Sequence, residues 1–121
     1  MIVGVGVDIV DLARFERALS RTPRLAPRLF TDAERVSGDA PLPLRSLAGR
    51  FAAKEALIKA LGGSAGIGWH DMRVIRDDDR NPAFAVEPPL QQLLNDRGIR
   101  RIHLSMAHDA GVAIAYVVTE T

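Results

Sequence analysis

The chain has 121 residues, of which 47% are hydrophobic and 26% charged, the composition of one ordinary globular unit spanning residues 1–121. It has no cysteine, which excludes disulfides and thiolate metal sites, and no apolar run of about 18 residues that could span a membrane as a helix. A net charge of +1 does not by itself nominate nucleic acid or a membrane surface as partner, and a cytoplasmic protein is expected.

The first element is IVGVGVDIV, Ile2 to Val10, a β-branched apolar run that predicts a buried strand. Gly4 and Gly6 weaken it by propensity and imply a bend or the close approach of another backbone. Asp8 interrupts the run. It either caps the next helix or serves chemistry, because a carboxylate in a buried strand is seldom a packing choice. Asp11 is the better N-cap, for a helix over Leu12–Arg21 with Leu12, Phe15 and Leu19 on one face.

Arg14, Arg17 and Arg21 form a narrow stripe on the opposite face of that helix. Six arginines against three acids lie between Ala13 and Arg35. The stripe is either a solvated face or a docking edge for an acidic partner. Thr22-Pro23 ends the helix. Thr31-Asp32-Ala33-Glu34 then reads as a capping box, which makes Glu34 structural. Gly38 to Leu44, with Pro41 and Pro43, is expected to be a loop.

The segment Arg50 to Leu61, RFAAKEALIKAL, is the strongest helix signal in the chain. Ser46 is the expected N-cap and Gly62-Gly63 the left-handed terminus. On a helical wheel Gly49, Ala52, Ala53, Ala56 and Ala60 make a face of minimal side chains, which lets another backbone approach closely. Leu47, Phe51, Leu57, Ile58 and Leu61 cover much of the remainder, so the helix should be largely buried. Glu55–Lys59 and Arg50–Lys54 are i,i+4 pairs. The first is either an ordinary surface ion pair or, in such apolar surroundings, functional.

The loop Gly62 to Gly68 could offer backbone N–H groups to phosphate, a weak signal without a recognised fingerprint. Met72–Arg76 and Ala83–Val86 read as a hairpin around a solvated turn, Asp77 to Pro82. That turn lacks the spacing of a calcium loop. Pro89 opens a helix to Asp96, closed by Gly98. Ile102–Met106 and Val112–Thr119 form a final antiparallel pair joined by His108-Asp109-Ala110-Gly111. His108 follows Ser105 by three residues; His70 and His103 have no partner pattern. The order β-α-α-α-β-β-α-β-β predicts an α+β fold with a mainly antiparallel sheet packed on a long central helix.

Asp8 and Glu55, from different elements and with Lys59 one turn beyond Glu55, are hard oxygen ligands suited to Mg²⁺ and phosphates. These residues support phosphoryl-type chemistry on a diphosphate substrate. They leave open another Mg²⁺-dependent diphosphate enzyme. They also leave open a nucleic-acid-binding module on the arginine stripe, which would lack the aromatic interleaving such binders use.

The chain resembles the holo-acyl-carrier-protein synthases, small single-copy 4′-phosphopantetheinyl transferases. The resemblance rests on the GVDIV run containing Asp8, FTDAE at 30–34, AGRFAAKEALIKALGG at 48–63, Asn81-Pro82 and IHLSMAH at 102–108, in order along the whole chain. It implies transfer of phosphopantetheine from coenzyme A to a serine of apo-acyl carrier protein, in fatty acid biosynthesis. By the family motifs Asp8 and Glu55 would hold Mg²⁺, and Lys59 would contact the phosphates. Arg50, Gly62 and His108 would line the coenzyme A site, while Arg14, Arg17 and Arg21 would face the acidic carrier.

The resemblance leaves the general base open between Glu55, a metal-bound water and His108. It also implies a homotrimer with sites between subunits. Two positions depart from the family pattern. Arg80-Asn81-Pro82 stands where Gly-Lys-Pro is usual, and Ser105-Met106-Ala107-His108 lacks the usual hydroxyl before the histidine.

Overall fold

The computed structural model describes residues 1–121, and its centre is helix α3, Leu44–Ala60. The helix starts two residues before the expected cap. Pro43, in extended conformation, occupies the N-cap, and the Ser46 amide donates to its carbonyl rather than Ser46 capping the helix. Gly62, at φ 76°, turns the chain out of the helix as expected. Ala48, Ala52, Ala53, Ala56 and Leu57 are wholly buried, so the helix is interior along most of its length.

Strand β1, Ile2–Asp11, crosses the small face of α3. Gly4 and Gly6 mark a close approach: a Cβ on either would sit 1.9 Å from the carbonyl oxygen of Ala60 or Ala56 respectively. Strand and helix therefore touch backbone to backbone, which only the glycine–alanine pairing allows.

Asp11 ends β1 and caps helix α1, Leu12–Arg21, accepting from the Arg14 amide at 2.9 Å. Phe15 faces inward and Arg14, Arg17 and Arg21 face solvent. Helix α2, Leu25–Leu29, follows, then a 3₁₀ turn over Asp32–Arg35. That turn carries half of the predicted capping box: Glu34 Oε1 accepts from the Thr31 amide, while the Glu34 amide donates to the Thr31 carbonyl rather than to its hydroxyl. The expected loop over 38–44 is partly a two-residue hairpin, β2 (Val36–Ser37) with β3 (Ala40–Pro41).

Beyond α3, a 3₁₀ turn at Trp69–Asp71 precedes the hairpin of β4 (Val74–Arg76) and β5 (Pro82–Phe84). Helix α4, Pro88–Asp96, starts with prolines in its first turn, where a missing N–H costs nothing. Strands β6 (Arg101–Asp109) and β7 (Val112–Glu120) pair along their full length, beyond the bounds read from sequence. His108 thus lies within β6 rather than in a loop.

The main sheet is antiparallel in the order β1-β7-β6, with α3 packed on one face, an α+β arrangement. One hydrophobic cluster of 20 buried residues lies between sheet and helices. The expectation that β1 is buried holds for one face only. Gly6 and Val10 face the helix side and are buried, whereas Val3, Val5, Val7 and Ile9 are exposed, Ile9 by 63%. Tyr116 of β7 extends this apolar surface. The period of two in a strand sends alternate residues to opposite faces, and this chain supplies cover for one. No helix is long and apolar enough to cross a membrane.

Candidate active site

The close packing of β1 on α3 brings Asp8 beside Glu55 and Lys59. Lys59 does not pair with Glu55, its i−4 neighbour. Its ammonium donates instead to Asp8 Oδ1 and to the Val7 carbonyl, each at 3.0 Å. Asp8 is therefore neither a cap nor a free ligand in this state but the partner of Lys59, with 17% of its side chain exposed. Glu55 has no ion-pair partner. Burial pushes its carboxyl above the usual carboxylate range, Asp8 pushes the same way, and Lys59 only partly opposes them.

An unpaired, partly desolvated carboxylate next to a second one is a place where a cation lowers the energy. No third carboxylate or imidazole joins the two. Two hard oxygen ligands with room for solvent and phosphate oxygens suit Mg²⁺, which rarely takes an all-protein shell. The residues present thus fit that ion.

Asp8 and Glu55 line a cavity of about 360 Å³ with Arg14, Phe15, Ala18 and Phe51, so the arginine-bearing helix α1 forms one wall. Glu55 also borders a second cavity of about 330 Å³ walled by Ile58, Ile67, Trp69 and Met72. Phe51 separates the two, stacked on Phe15 at 5.3 Å and tilted against Trp69 at 5.7 Å.

Arg50 and His108 lie elsewhere. They line a basic cavity of about 460 Å³ with Arg45, Arg76, Ser105 and Asn81. Its lining includes three arginines and no acid. Arg50 Nε is buried there without a hydrogen-bond partner. Burial and the charge of Arg76 both press the Arg50 guanidinium towards a lower pKa. A dianionic phosphate would relieve both effects.

The predicted site residues therefore fall into two groups within one chain. No cavity is lined by both Glu55 and Arg50. The two are five positions apart on α3, about 140° around the axis, so they face different sides. Lys59 and Gly62 stand at the C-terminal end of the same helix and line none of these cavities.

Sequence reasoning gave no site role to Ser46, Arg45 or Arg76. Ser46, Gly49 and Arg50 all line the basic cavity, and their i,i+3,i+4 spacing could have revealed that face. Arg76 comes from the β4–β5 hairpin and carries no local signal. His103 and His70 find partners only in the fold, at Glu120 (2.7 Å) and the Pro27 carbonyl (2.7 Å).

The chain matches the family model of the 4′-phosphopantetheinyl transferase superfamily over residues 4–117. It is 59% identical over 120 residues to the holo-[acyl-carrier-protein] synthase of Leifsonia xyli subsp. xyli, covering 99% of this chain and 98% of that one. The crystal structure of holo-[acyl-carrier-protein] synthase from Neisseria meningitidis superposes with a TM-score of 0.89 at 36% identity, covering 100% of both chains. The Helicobacter pylori enzyme, solved in complex with coenzyme A, superposes with a TM-score of 0.81 at 31% identity, covering 96% of this chain and 99% of that one.

Proposed function

This chain belongs to the holo-[acyl-carrier-protein] synthase branch of the 4′-phosphopantetheinyl transferase superfamily, and on that premise we propose the following reaction. The enzyme moves 4′-phosphopantetheine from coenzyme A to a serine of apo-acyl carrier protein in the cytoplasm, for fatty acid biosynthesis. Adenosine 3′,5′-bisphosphate leaves. The observation that carries the chemistry is Glu55, unpaired and partly desolvated beside the Asp8–Lys59 pair.

Asp8 and Glu55 would hold Mg²⁺, which when bound would supply Lewis-acid neutralisation of the diphosphate. Lys59, half-exposed and anchored on Val7 and Asp8, presents its charge to phosphate oxygens. The serine Oγ forms a bond to the β-phosphorus, and the bond from that phosphorus to the bridging oxygen of the leaving bisphosphate breaks. The serine proton passes to a base, for which Glu55, a metal-bound water and His108 are the candidates. Arg50 and His108 in the basic cavity hold the coenzyme's phosphate, and Gly62 shapes the turn at the end of α3. Arg14 reaches from the α1 stripe into the Asp8–Glu55 cavity, so a carrier docked on Arg14, Arg17 and Arg21 would deliver its serine there.

The separation of the acidic and basic groups supports a homotrimer, in which one subunit's basic cavity meets its neighbour's Asp8 and Glu55. The exposed apolar face of β1 supports the same reading, because a surface of Val3, Val5, Val7, Ile9 and Tyr116 gains by leaving water.

The test is the intact mass of apo-acyl carrier protein after incubation with the enzyme, coenzyme A and Mg²⁺. The expected gain is one phosphopantetheine, abolished by EDTA. A carrier that stays unmodified, with no thermal stabilisation of the enzyme by coenzyme A, refutes the reading.

A further inference from the structure

Lys54 and Glu34 are the two charged residues of this chain that are buried, with 0% and 3% of their surface exposed. The proposed chemistry uses neither. Lys54 follows Arg50 by one turn and immediately precedes Glu55 on α3, but its side chain points into the protein. All three of its ammonium protons are taken. They go to the Leu29 carbonyl at 2.6 Å, Glu34 Oε1 at 2.9 Å and the Trp69 carbonyl at 3.0 Å.

Glu34 is saturated in turn. Oε1 accepts from the Thr31 amide and hydroxyl as well as Lys54, and Oε2 accepts from the Val74 amide at 3.0 Å. The pair thus joins α3 to the end of α2, the 31–35 turn, the Trp69 turn and the start of β4. Two of these segments build the cavities. Trp69 and Met72 wall the space beside Glu55, and β4 carries Arg76 into the basic cavity.

A buried ion pair is a poor choice for stability alone, since apolar residues of similar volume commonly serve as well. What it adds is a single permitted arrangement, because each acceptor must meet one proton. We propose that Lys54 and Glu34 are positioning residues: their pair sets the Trp69 wall and the Arg76 strand against α3, and so fixes the coenzyme A site on both sides of that helix. Neither touches substrate. The proposal rests on the transferase reading for its kinetic assay, and direct binding of coenzyme A separates the two.

The test is the Glu34→Gln/Lys54→Met double variant, which removes both charges together and strands neither. It should retain wild-type circular dichroism and a cooperative unfolding transition. KM for coenzyme A should rise tenfold or more, with a matching rise in Kd by calorimetry, while KM for the carrier stays within twofold because α1 is not in the network. A role confined to stability would leave both coenzyme A constants unmoved in folded protein. Constants within twofold of wild type overturn the proposal. If wild type fails to load the carrier, the transferase reading fails, and the Kd comparison still decides the positioning role.

Should the double variant not fold, hydrogen exchange of the Val74 amide in wild type decides. If opening the pair disrupts the coenzyme site, then by linkage coenzyme A must suppress that opening. Exchange at Val74 should slow at least tenfold on saturation with coenzyme A, and unchanged exchange overturns the proposal.

Discussion

Replacing Gly6 by alanine tests whether the β1–α3 contact assembles the site. The new Cβ would lie 1.9 Å from the Ala56 carbonyl oxygen and 2.8 Å from the Ala60 amide nitrogen, and Cβ contacts under 3.0 Å essentially do not occur. Both near atoms belong to helix backbone, which cannot swing aside as a side chain could. Strand and helix must part by about 1 Å, and overpacking of this kind costs about 3 kcal/mol, the upper end of its usual range. For a domain of this size that lowers Tm by roughly 10 °C. The same movement draws Asp8 away from Lys59, now at 3.0 Å, and from Glu55. A shift of about 1 Å between catalytic groups costs on the order of 100-fold in rate.

Urea unfolding gives the stability change, and carrier loading followed by intact mass gives the rate. Gly38→Ala is the control, since its Cβ would meet nothing and the cost is that of a positive φ alone, about 1 kcal/mol. A Gly6→Ala protein within 1 kcal/mol of wild type and within threefold in rate would refute the reasoning.

Three further outcomes are expected. Because the folded pKa of Glu55 is raised, the metal-free chain binds a proton there that the unfolded chain has released. Its stability should therefore fall as pH rises from 4.5, the ordinary value, through the folded pKa. Glu55→Gln should flatten that fall in EDTA, keep the fold and abolish both transfer and Mg²⁺ binding; wild-type activity in this variant would remove Glu55 from the metal site. Arg14→Glu with Arg21→Glu should raise KM for the carrier tenfold or more and leave KM for coenzyme A unchanged, and equal movement of both would show that α1 is not the docking face. Val7→Lys places a charge in the exposed strand face; in the proposed trimer it should shift the mass in solution to that of a monomer with loss of transfer, and a variant that stays trimeric would place the subunit contact elsewhere.

Much of the fold was legible because it is encoded between near neighbours. The alanine face of α3, the Asp11 cap, the Thr31–Glu34 capping box and the prolines opening α4 are each set by residues within one or two turns. The glycines of β1 gave the same kind of signal, since they have little use in a strand except where another backbone comes close. Asp8 and Glu55 were also singled out together, from the scarcity of reasons to place either among apolar residues, and the two line one cavity. The start of α3 was misjudged by three residues because Ser46 resembles a cap more than Pro43 does, while the chain direction at Pro43 decides the matter.

What could be read along the chain was the main helices, the strands of the principal sheet, the inward face of α3 and the acid, base and cation types available for chemistry, but not the β2–β3 hairpin or the open face of β1. Only the tertiary structure decided who meets whom. Lys59 chose Asp8, 51 residues away, over Glu55, one turn away. Lys54, which the helical wheel groups with Arg50, turned inward to Glu34 across 20 residues. The apolar run of β1 proved covered on one side only, because burial depends on what the rest of the chain can reach and not on the run's own composition. Arg50 and Glu55, close along α3, went to separate cavities. Local geometry follows from the backbone dihedrals of a few residues, whereas partners and cavities are set by the whole path of the chain, and that path is a property of all its contacts at once.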